Sequence, residues 1–416
     1  GGAFGRLFIQ TPPLWFLEGM AEYVSLGWDG TSEAVIRDAV LGNTLPSMRN
    51  LDKLAIHPKQ YMLVYRQGQA FLRFLAERFG EKVIPELVHA FRLTTKADQA
   101  LRLATGHDLK ELDEAFFHAL RARYWPRYTM HNPKSPPPEE RLTDHAEDGS
   151  SLNSLPAYSP DGRYYAFLSN PDFFPGIFLR ESKDNKSVKR IAISWRKGDY
   201  TGLLFQGNRI TWAPDSRSLA FLTRVPEGYA LSVHAVPSGK RVFFRRLPEG
   251  SVADPVFTPD GKGIVYIGSA GEGSRLRLHS LADGSDRVLH ADSAELAGPR
   301  FTREGQLLLL RLPDNRQQPA GLLLFDPLSR TLSTATNRYP ALGLLPGETT
   351  GFDLSGQLLV VRQETPEGGD LWLVRQGATN TSRLTRLPGY AGSPSLAPDG
   401  KNCLTSEYSG HGSNIT

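Results

Sequence analysis

Apolar residues repeat at two different spacings along the chain, and the change of spacing divides it into two parts. Over residues 1–125 they recur every three or four positions, which places side chains on one face of a helix. From residue 154 onwards they form short runs separated by turn-forming residues, as expected for β-strands. The pattern predicts a multidomain α plus all-β protein, with an α-helical part at residues 1–125 and an all-β part at residues 154–416.

The best helical pattern covers residues 61–79. Its apolar side chains fall on one stripe, and Gly80 stands where a glycine commonly follows the end of a helix. Further along, Asp108 and Glu111 have the spacing of a capping box. This spacing predicts a helix that begins here and continues through Ala122.

A shorter helical pattern begins at Pro13 and carries two carboxylates. Glu18 and Glu22 are four residues apart, so both project from the same side of the predicted helix. They lie beside an apolar stripe, and a carboxylate buried there must be hydrogen-bonded, paired or bound to a metal ion. Spacing alone favours an amphipathic helix with both glutamates at the boundary with water. The predicted stripe consists of Leu14, Leu17, Ala21 and Val24, with Trp15 and Phe16 beside it.

Residues 126–153 contain five prolines and then a charged, serine-rich stretch, which predicts a linker. After it, a four-residue turn recurs, with Pro, Asp and Gly at its last three positions in the best copies. Six copies begin at Ser159, Ala213, Thr258, Thr302, Asp353 and Ala397. They are 54, 45, 44, 51 and 44 residues apart, and each is followed by short strands. A period near 45 residues with short strands is typical of a β-propeller, here with six blades.

Two further features concern the ends of the predicted propeller. The tripeptide Arg141-Leu142-Thr143 is repeated as Arg383-Leu384-Thr385 ahead of the sixth turn. We therefore predict that residues 141–143 form an outermost strand that joins the last blade. The sequence ends soon after the sixth turn, so we expect the last blade to be incomplete, with a seventh blade as the alternative. The fourth and fifth turns lack the Pro-Asp pair, so we expect their geometry to differ.

Composition narrows the class of protein. The chain has 416 residues, of which 40% are hydrophobic and 22% charged, as in globular rather than disordered chains. Cys403 is the single cysteine, which excludes an intrachain disulfide and a cysteine-based metal site. The net charge is only +4, and the basic residues are scattered in short pairs instead of forming a stripe. We therefore expect no nucleic-acid partner. No apolar run is long enough for a membrane span.

The segment from Trp15 to Tyr23 resembles the W-x-x-E-G-x-A-E-Y signature of gluzincin metallopeptidases of the peptidase MA-like branch. The resemblance implies that Glu18 is a zinc ligand and that Glu22 orients a ligand histidine. Tyr65 begins a segment that resembles a Y-x-x-G-x-x-F motif of the same family. This implies a donor to the oxyanion of peptide hydrolysis, whereas the helical stripe alone favours a core aromatic residue.

The chain departs from this family at its histidines. None of its ten histidines lies in an H-E-x-x-H motif, which in the family supplies two zinc ligands and the general base. In the family that motif precedes the ligand glutamate by roughly eighteen residues or more, so we expect it to lie ahead of Gly1. We therefore expect the parent protein to be a zinc metallopeptidase and this chain alone to be inactive. We expect surface positions for His57, His89, His107 and His118.

The β part resembles PD40 (TolB-type) propeller repeats, with their S-P-D-G-x-x-I-A-F core. This implies a channel that binds a peptide substrate or a protein partner, and a periplasmic or otherwise extracytoplasmic location. The alternative to a peptidase is a non-catalytic, TolB-like interaction protein with a vestigial peptidase fold. A prolyl oligopeptidase-like enzyme is excluded because no G-x-S-x-G motif occurs. One Asp per turn does not form a calcium array, so we expect these side chains to cap the turns.

Overall fold

The computed structural model describes most of the chain. The described residues are 11–25, 27–28, 30–51, 61–131, 141–172, 174–194, 200–204, 209–248, 250–269, 273–312, 320–365, 368–385, 390–409 and 412–416. His57, His411 and residues 132–140 of the predicted linker lie outside them. Contacts divide the chain into two compact units, Gly1–Pro133 and Lys134–Thr416, and the division falls inside the segment predicted as a linker. Among the described residues, no helix is long and apolar enough to cross a membrane.

The first unit is built from helices. In the described residues these are α1 (Leu14–Ser25), α2 (Gly30–Leu41), α3 (Tyr61–Phe79), α4 (Val83–Leu93), α5 (Ala97–Thr105) and α6 (Leu109–His131), with a 3-10 turn at Met48–Asn50. Helix α6 continues to His131 and so extends six residues into the predicted linker. The start of the linker at Pro126 is therefore wrong. A proline removes one hydrogen bond, and the helix on either side of it supplies the others.

Aromatic residues form the core of the helical unit. Trp15 of α1 contacts Phe71 of α3 edge-on, with ring centroids 5.4 Å apart, and Phe71 contacts Phe116 of α6 at 5.3 Å. Phe16 packs on Phe91 of α4 at 4.2 Å. Burial of rings of this size is a main source of stability for such a small unit.

The buried face of α1 differs from the predicted stripe. Trp15, Phe16 and Gly19 are buried, whereas Leu17 and Val24 are 43% and 74% exposed. The predicted stripe was therefore wrong. Two large rings remove more apolar surface from water than the aliphatic side chains would, and they determine which face turns inwards.

The second unit is a β-propeller, which confirms the predicted fold class. After a short helix, α7 (His145–Asp148), four described sheets have four strands and one has five. The first consists of β1 (Asn153–Tyr158), β2 (Tyr164–Ser169), β3 (Gly176–Glu181) and β4 (Ser187–Ile193). In the second, β5 (Gly202–Leu203) and β6 (Thr211–Trp212) both pair with β7 (Ser218–Val225), which is followed by β8 (Gly228–Ala235) and β9 (Arg241–Leu247).

The next three sheets repeat the same antiparallel order. The third has β10 (Ser251–Phe257), β11 (Gly263–Ser269), β12 (Ser274–Ser280) and β13 (Asp286–Asp292). The fourth has β14 (Leu296–Phe301), β15 (Leu307–Arg311), β16 (Gly321–Asp326) and β17 (Thr331–Thr334). The fifth has β18 (Glu348–Ser355), β19 (Leu358–Thr365), β20 (Gly368–Arg375) and β21 (Thr381–Arg383).

The sixth repeat is smaller than the others in the described residues. Its strands are β22 (Tyr390–Ala391), β23 (Ser395–Leu396), β24 (Cys403–Leu404), β25 (Ser406–Ser409) and β26 (Gly412–Ile415). They form one sheet of three strands and one of two. The first and last repeats are neighbours, because the main-chain N–H groups of Asn153 and Tyr158 donate to the hydroxyls of Ser413 and Ser395 at 2.9 and 3.0 Å.

Residues 142–143 contact the last strand. The N–H of Leu142 donates to the carbonyl of Ile415 at 2.8 Å, and the N–H of Ile415 donates to Oγ1 of Thr143 at 2.8 Å. In the fifth blade, Leu384 and Thr385 make the same two bonds with Leu371, at 2.8 and 2.9 Å. The repeated tripeptides therefore use one hydrogen-bond pattern in two places.

The turn aspartates bond to their own loops. Asp161, Asp215, Asp260 and Asp399 each accept a hydrogen bond from the main chain two residues later, at 2.9–3.1 Å. The fourth copy keeps the same main-chain turn, with Gly305 donating to Thr302 at 3.0 Å. The fifth copy differs, as expected: strand β18 continues through Asp353 to Ser355, which pairs with Leu358.

Candidate functional site

The candidate site in the helical unit depends on how closely α1 and α3 pack. A Cβ atom added to Gly19 would lie 2.5 Å from the carbonyl carbon of Gly68, and one added to Gly68 would lie 2.3 Å from the carbonyl oxygen of Trp15. Only glycine fits at both positions. Along α1, Trp15, Gly19 and Glu22 meet residues of decreasing number on α3, so the two helices run antiparallel.

Glu18 lies on the flank of the buried face of α1 and is half-buried. Its carboxylate makes no hydrogen bond or ion pair with any residue in the described part of the chain. The neighbouring Leu17 is 43% exposed. The side chain predicted as a zinc ligand is thus placed between the buried face and an uncovered apolar stripe.

Glu22, one turn later, is already paired. Nη1 of Arg66 lies 2.7 Å from Oε2 of Glu22, and the two side chains are 10% and 19% exposed. Nε2 of Gln69 donates to the main-chain carbonyl of Glu22 at 3.3 Å. Arg66 therefore neutralises this carboxylate, a partner that the spacing of the two glutamates did not reveal.

Tyr65 begins the second motif segment and is half-buried on α3. It lies three residues before Gly68, so it shares the helix face that approaches α1. Tyr23, the last residue of the signature, donates its hydroxyl to Oε2 of Glu81 at 2.9 Å. Burial and the Glu81 carboxylate raise the pKa of Tyr23, which keeps this phenol protonated.

The described residues do not form a complete metal site. No group of three or more His, Cys, Asp or Glu side chains among them could hold a metal ion. His89 and His118 are exposed, and Nδ1 of His107 lies 3.3 Å from Oε2 of Glu111. A catalytic zinc site has three protein ligands, and these residues supply one candidate, Glu18.

The propeller holds a second cluster of charged groups, in its central channel. Arg209, Arg300 and Asp353 line a cavity of about 380 Å³. The sequence repeat predicted a turn at Asp353 and indicated no role for either arginine. A charged side chain on an otherwise apolar inner strand was the signal that could have found them.

Two comparisons by sequence find similar proteins, and the first falls within the helical unit. Residues 8–122 match the family model described as Peptidase MA superfamily. A curated protein of Bacillus subtilis (strain 168), the uncharacterized peptidase YuxL, is 26% identical over 172 residues. That match covers 39% of this chain and 24% of the relative, so the chain spans about a quarter of the curated relative it matches.

Solved propellers resemble the second unit in fold. TolB from Acinetobacter baumannii is 16% identical, with a TM-score of 0.46 over 59% of this chain and 57% of that one. A putative TolB from Agrobacterium tumefaciens is 16% identical, with a TM-score of 0.48 over 62% of this chain and 91% of that one. Residues 8–122 are thus similar to the Peptidase MA superfamily, and the second unit has the fold of a β-propeller.

Proposed function

We propose that this chain is part of a zinc-dependent metallopeptidase in which Glu18 is one of three protein ligands. The observation that carries the proposal is the half-buried Glu18 carboxylate, which has no partner among the described residues. It lies inside the segment that matches the Peptidase MA superfamily. In such enzymes zinc activates a water molecule for attack on the peptide bond.

The surface beside Glu18 supports the same proposal. Leu17 and Val24 are exposed on α1, and Ala21 lies exposed between them. An uncovered apolar stripe marks a contact surface. We assign this stripe to the helix that carries the H-E-x-x-H motif, which would place two histidines next to Glu18.

Glu22 and Tyr65 have supporting roles in this proposal. Arg66 contacts Oε2 of Glu22, and Oε1 makes no hydrogen bond with a described residue. Oε1 would accept the N–H of a ligand histidine and so fix its tautomer. Tyr65 would donate its hydroxyl to the oxyanion. The 416-residue chain alone would not catalyse hydrolysis, because its described residues supply one candidate ligand.

Zinc content tests the ligand assignment. The full-length polypeptide, including any segment ahead of residue 1, would be compared with its Glu18→Gln variant by elemental analysis. We expect about one zinc per chain in the parent and loss of most of it in the variant, since each missing ligand weakens a three-ligand site strongly. Glu114→Gln is the matched control, because Glu114 is an exposed glutamate of the same unit. Equal zinc content in Glu18→Gln and the parent would refute the assignment.

A non-catalytic interaction protein is the second candidate. It is favoured by the pairing of Glu22 with Arg66 and by the absence of a three-ligand group in the described residues. In that case the propeller binds a protein partner, and the full-length polypeptide contains neither zinc nor peptidase activity. In both proposals the protein is periplasmic or otherwise extracytoplasmic, because its turn repeats resemble those of PD40 (TolB-type) propellers.

A further inference from the structure

The central channel of the propeller contains a cavity of about 380 Å³. All six repeats contribute to its wall, through Leu155, Arg209, Val256, Arg300, Asp353 and Pro394. The volume lies at the lower end of the range for ligand pockets. It therefore suits a small molecule or the end of a chain and not a folded domain.

Two arginines in this cavity share one carboxylate. Nε of Arg300 lies 2.8 Å from Oδ1 of Asp353, and Nη1 of Arg209 lies 3.6 Å from the same oxygen. The other oxygen of Asp353 accepts the N–H of Leu396 at 2.8 Å. Asp353 therefore forms hydrogen bonds with Arg300 and the main chain, whereas its 3.6 Å ion pair with Arg209 is too long for a hydrogen bond.

Arg209 is more than nine-tenths buried and incompletely paired. Its side chain is 9% exposed, and its Nη2 donates to the carbonyl of Phe352. Nη1 has no hydrogen-bond acceptor among the described residues. A buried donor of a charged group without an acceptor is costly, and a ligand that accepts this bond would remove the cost.

A second carboxylate, that of Asp254, lies near the two arginines. It is buried and accepts the N–H of Gly298 at 2.6 Å. Burial raises the pKa of Asp254. Burial and Arg300 lower the pKa of Arg209 to about 10, so this guanidinium stays charged at neutral pH. The unsatisfied Nη1 of Arg209 is therefore the donor that a ligand would satisfy.

The inner strands around the two arginines are irregular. The inner strands of the first, third and fourth blades each carry an irregular register, with positive φ values of 54°, 49° and 60° at Leu155, Asp254 and Gly298. Gly298 lies against Arg209, since an added Cβ would be 3.5 Å from its Nη2. Irregular strands, and left-handed non-glycine residues such as Leu155, occur more often next to functional sites.

We propose that the channel binds a peptide through a carboxylate group, held by Arg209 and Arg300. A guanidinium group donates well to the two oxygens of a carboxylate, and Nη1 of Arg209 is a buried donor without an acceptor among the described residues. Leu155, Ile210 and Pro394 give the rest of the ligand an apolar wall. The choice of a peptide as the carrier rests on the proposed function. The carboxylate comes either from a C-terminus or from an acidic side chain.

Calorimetric titration of the 416-residue chain with three capped tripeptides tests the proposal. The probes are acetyl-Ala-Ala-Ala with a free carboxylate, acetyl-Ala-Ala-Ala amide, and acetyl-Ala-Glu-Ala amide. We expect at least one carboxylate peptide to bind about tenfold or more tightly than the alanine amide, as a charge-assisted pair of bonds allows. Preference for the first probe identifies a C-terminus, and preference for the third an acidic side chain. Equal binding, or no binding, of all three overturns the proposal.

Variants locate the site. Arg209→Gln should abolish the preference for the carboxylate, and Arg209→Lys should weaken it, because lysine keeps the charge and loses the fork. Arg246→Gln is the matched control, since Arg246 is an exposed arginine of the same blade.

If circular dichroism shows that Arg209→Gln does not fold, the comparison of the probes on the parent chain and on Arg209→Lys still decides the question. A preference unchanged in Arg209→Lys and Arg209→Gln overturns the proposal. The test needs no zinc, so its failure is separate from failure of the proposed peptidase function.

Discussion

Cys403 lies on β24, and its surroundings raise the pKa of its thiol. Burial, with a smaller contribution from the Asp353 carboxylate, raises the pKa of the Cys403 thiol to about 12. Both causes disfavour the thiolate, which is the reactive form of cysteine. We therefore expect this thiol to react slowly in the folded propeller, and as the single cysteine it can report local opening.

We predict that iodoacetamide labels Cys403 at pH 8 at least about a hundredfold more slowly in the folded chain than in urea, because a free thiol has a pKa near 8.5. The folded rate should rise about tenfold per pH unit up to about pH 12. Mass spectrometry after timed quenching measures both rates. Similar rates in the folded and unfolded chain would show that the thiol is neither buried nor perturbed.

At the scale of elements, the contact between α1 and α3 organises the helical unit. Gly19 and Gly68 allow the two backbones to touch, and this places Glu22 against Arg66. The capping box at the start of α6 is present as well: Glu111 donates its N–H to Asp108 at 2.9 Å, and Asp108 donates to Glu111 at 3.2 Å. Local signals of this kind depend on neighbours in sequence, whereas the α1–α3 contact depends on residues far apart.

We predict that Gly68→Ala destabilises the helical unit by about 2 kcal/mol or more, since overpacking costs roughly 1–3 kcal/mol and here the added atom meets backbone. Urea unfolding followed by circular dichroism at 222 nm measures the loss. Ala21→Leu is the control: it adds a larger side chain to the exposed face of α1 and should change stability little. A loss in Gly68→Ala no greater than that in Ala21→Leu would contradict the close packing.

At the scale of the whole propeller, residues 141–143 contact both the first blade and the last strand. Ile415 is fully buried, and its N–H has Thr143 Oγ1 as acceptor. Arg180 and Asn185 of the first blade donate to the carbonyl of Leu142, the Asn185 bond being 2.7 Å. The segment thus ties the last strand to the first blade, the kind of contact that keeps a ring of blades closed.

We predict that Thr143→Val destabilises the propeller by about 1–3 kcal/mol, because a buried N–H loses its acceptor while the side-chain volume is kept. Amide exchange of the C-terminal strand should become faster, which mass spectrometry can follow. Thr336→Val is the control, since Thr336 is exposed. If the two variants are equally stable and exchange alike, residues 141–143 do not hold the ring.

The residues alone determined the local and repeated features of this protein. Helix α3 lies at Tyr61–Phe79 as its apolar spacing predicts, and the repeated turns with their short strands predict the propeller. Such features follow from the chemistry of residues that are near each other in the chain, or from one unit repeated many times.

Tertiary structure decided which surfaces are buried and which charges meet. The rings of Trp15 and Phe16, rather than the predicted aliphatic stripe, form the buried face of α1. Arg66 forms an ion pair with Glu22, which lies 44 residues away in the chain. The repeat predicted a turn at Asp353, but its carboxylate lies between Arg209 and Arg300 in the channel. These outcomes depend on competition between distant groups for burial and for counter-charges, which no local pattern contains.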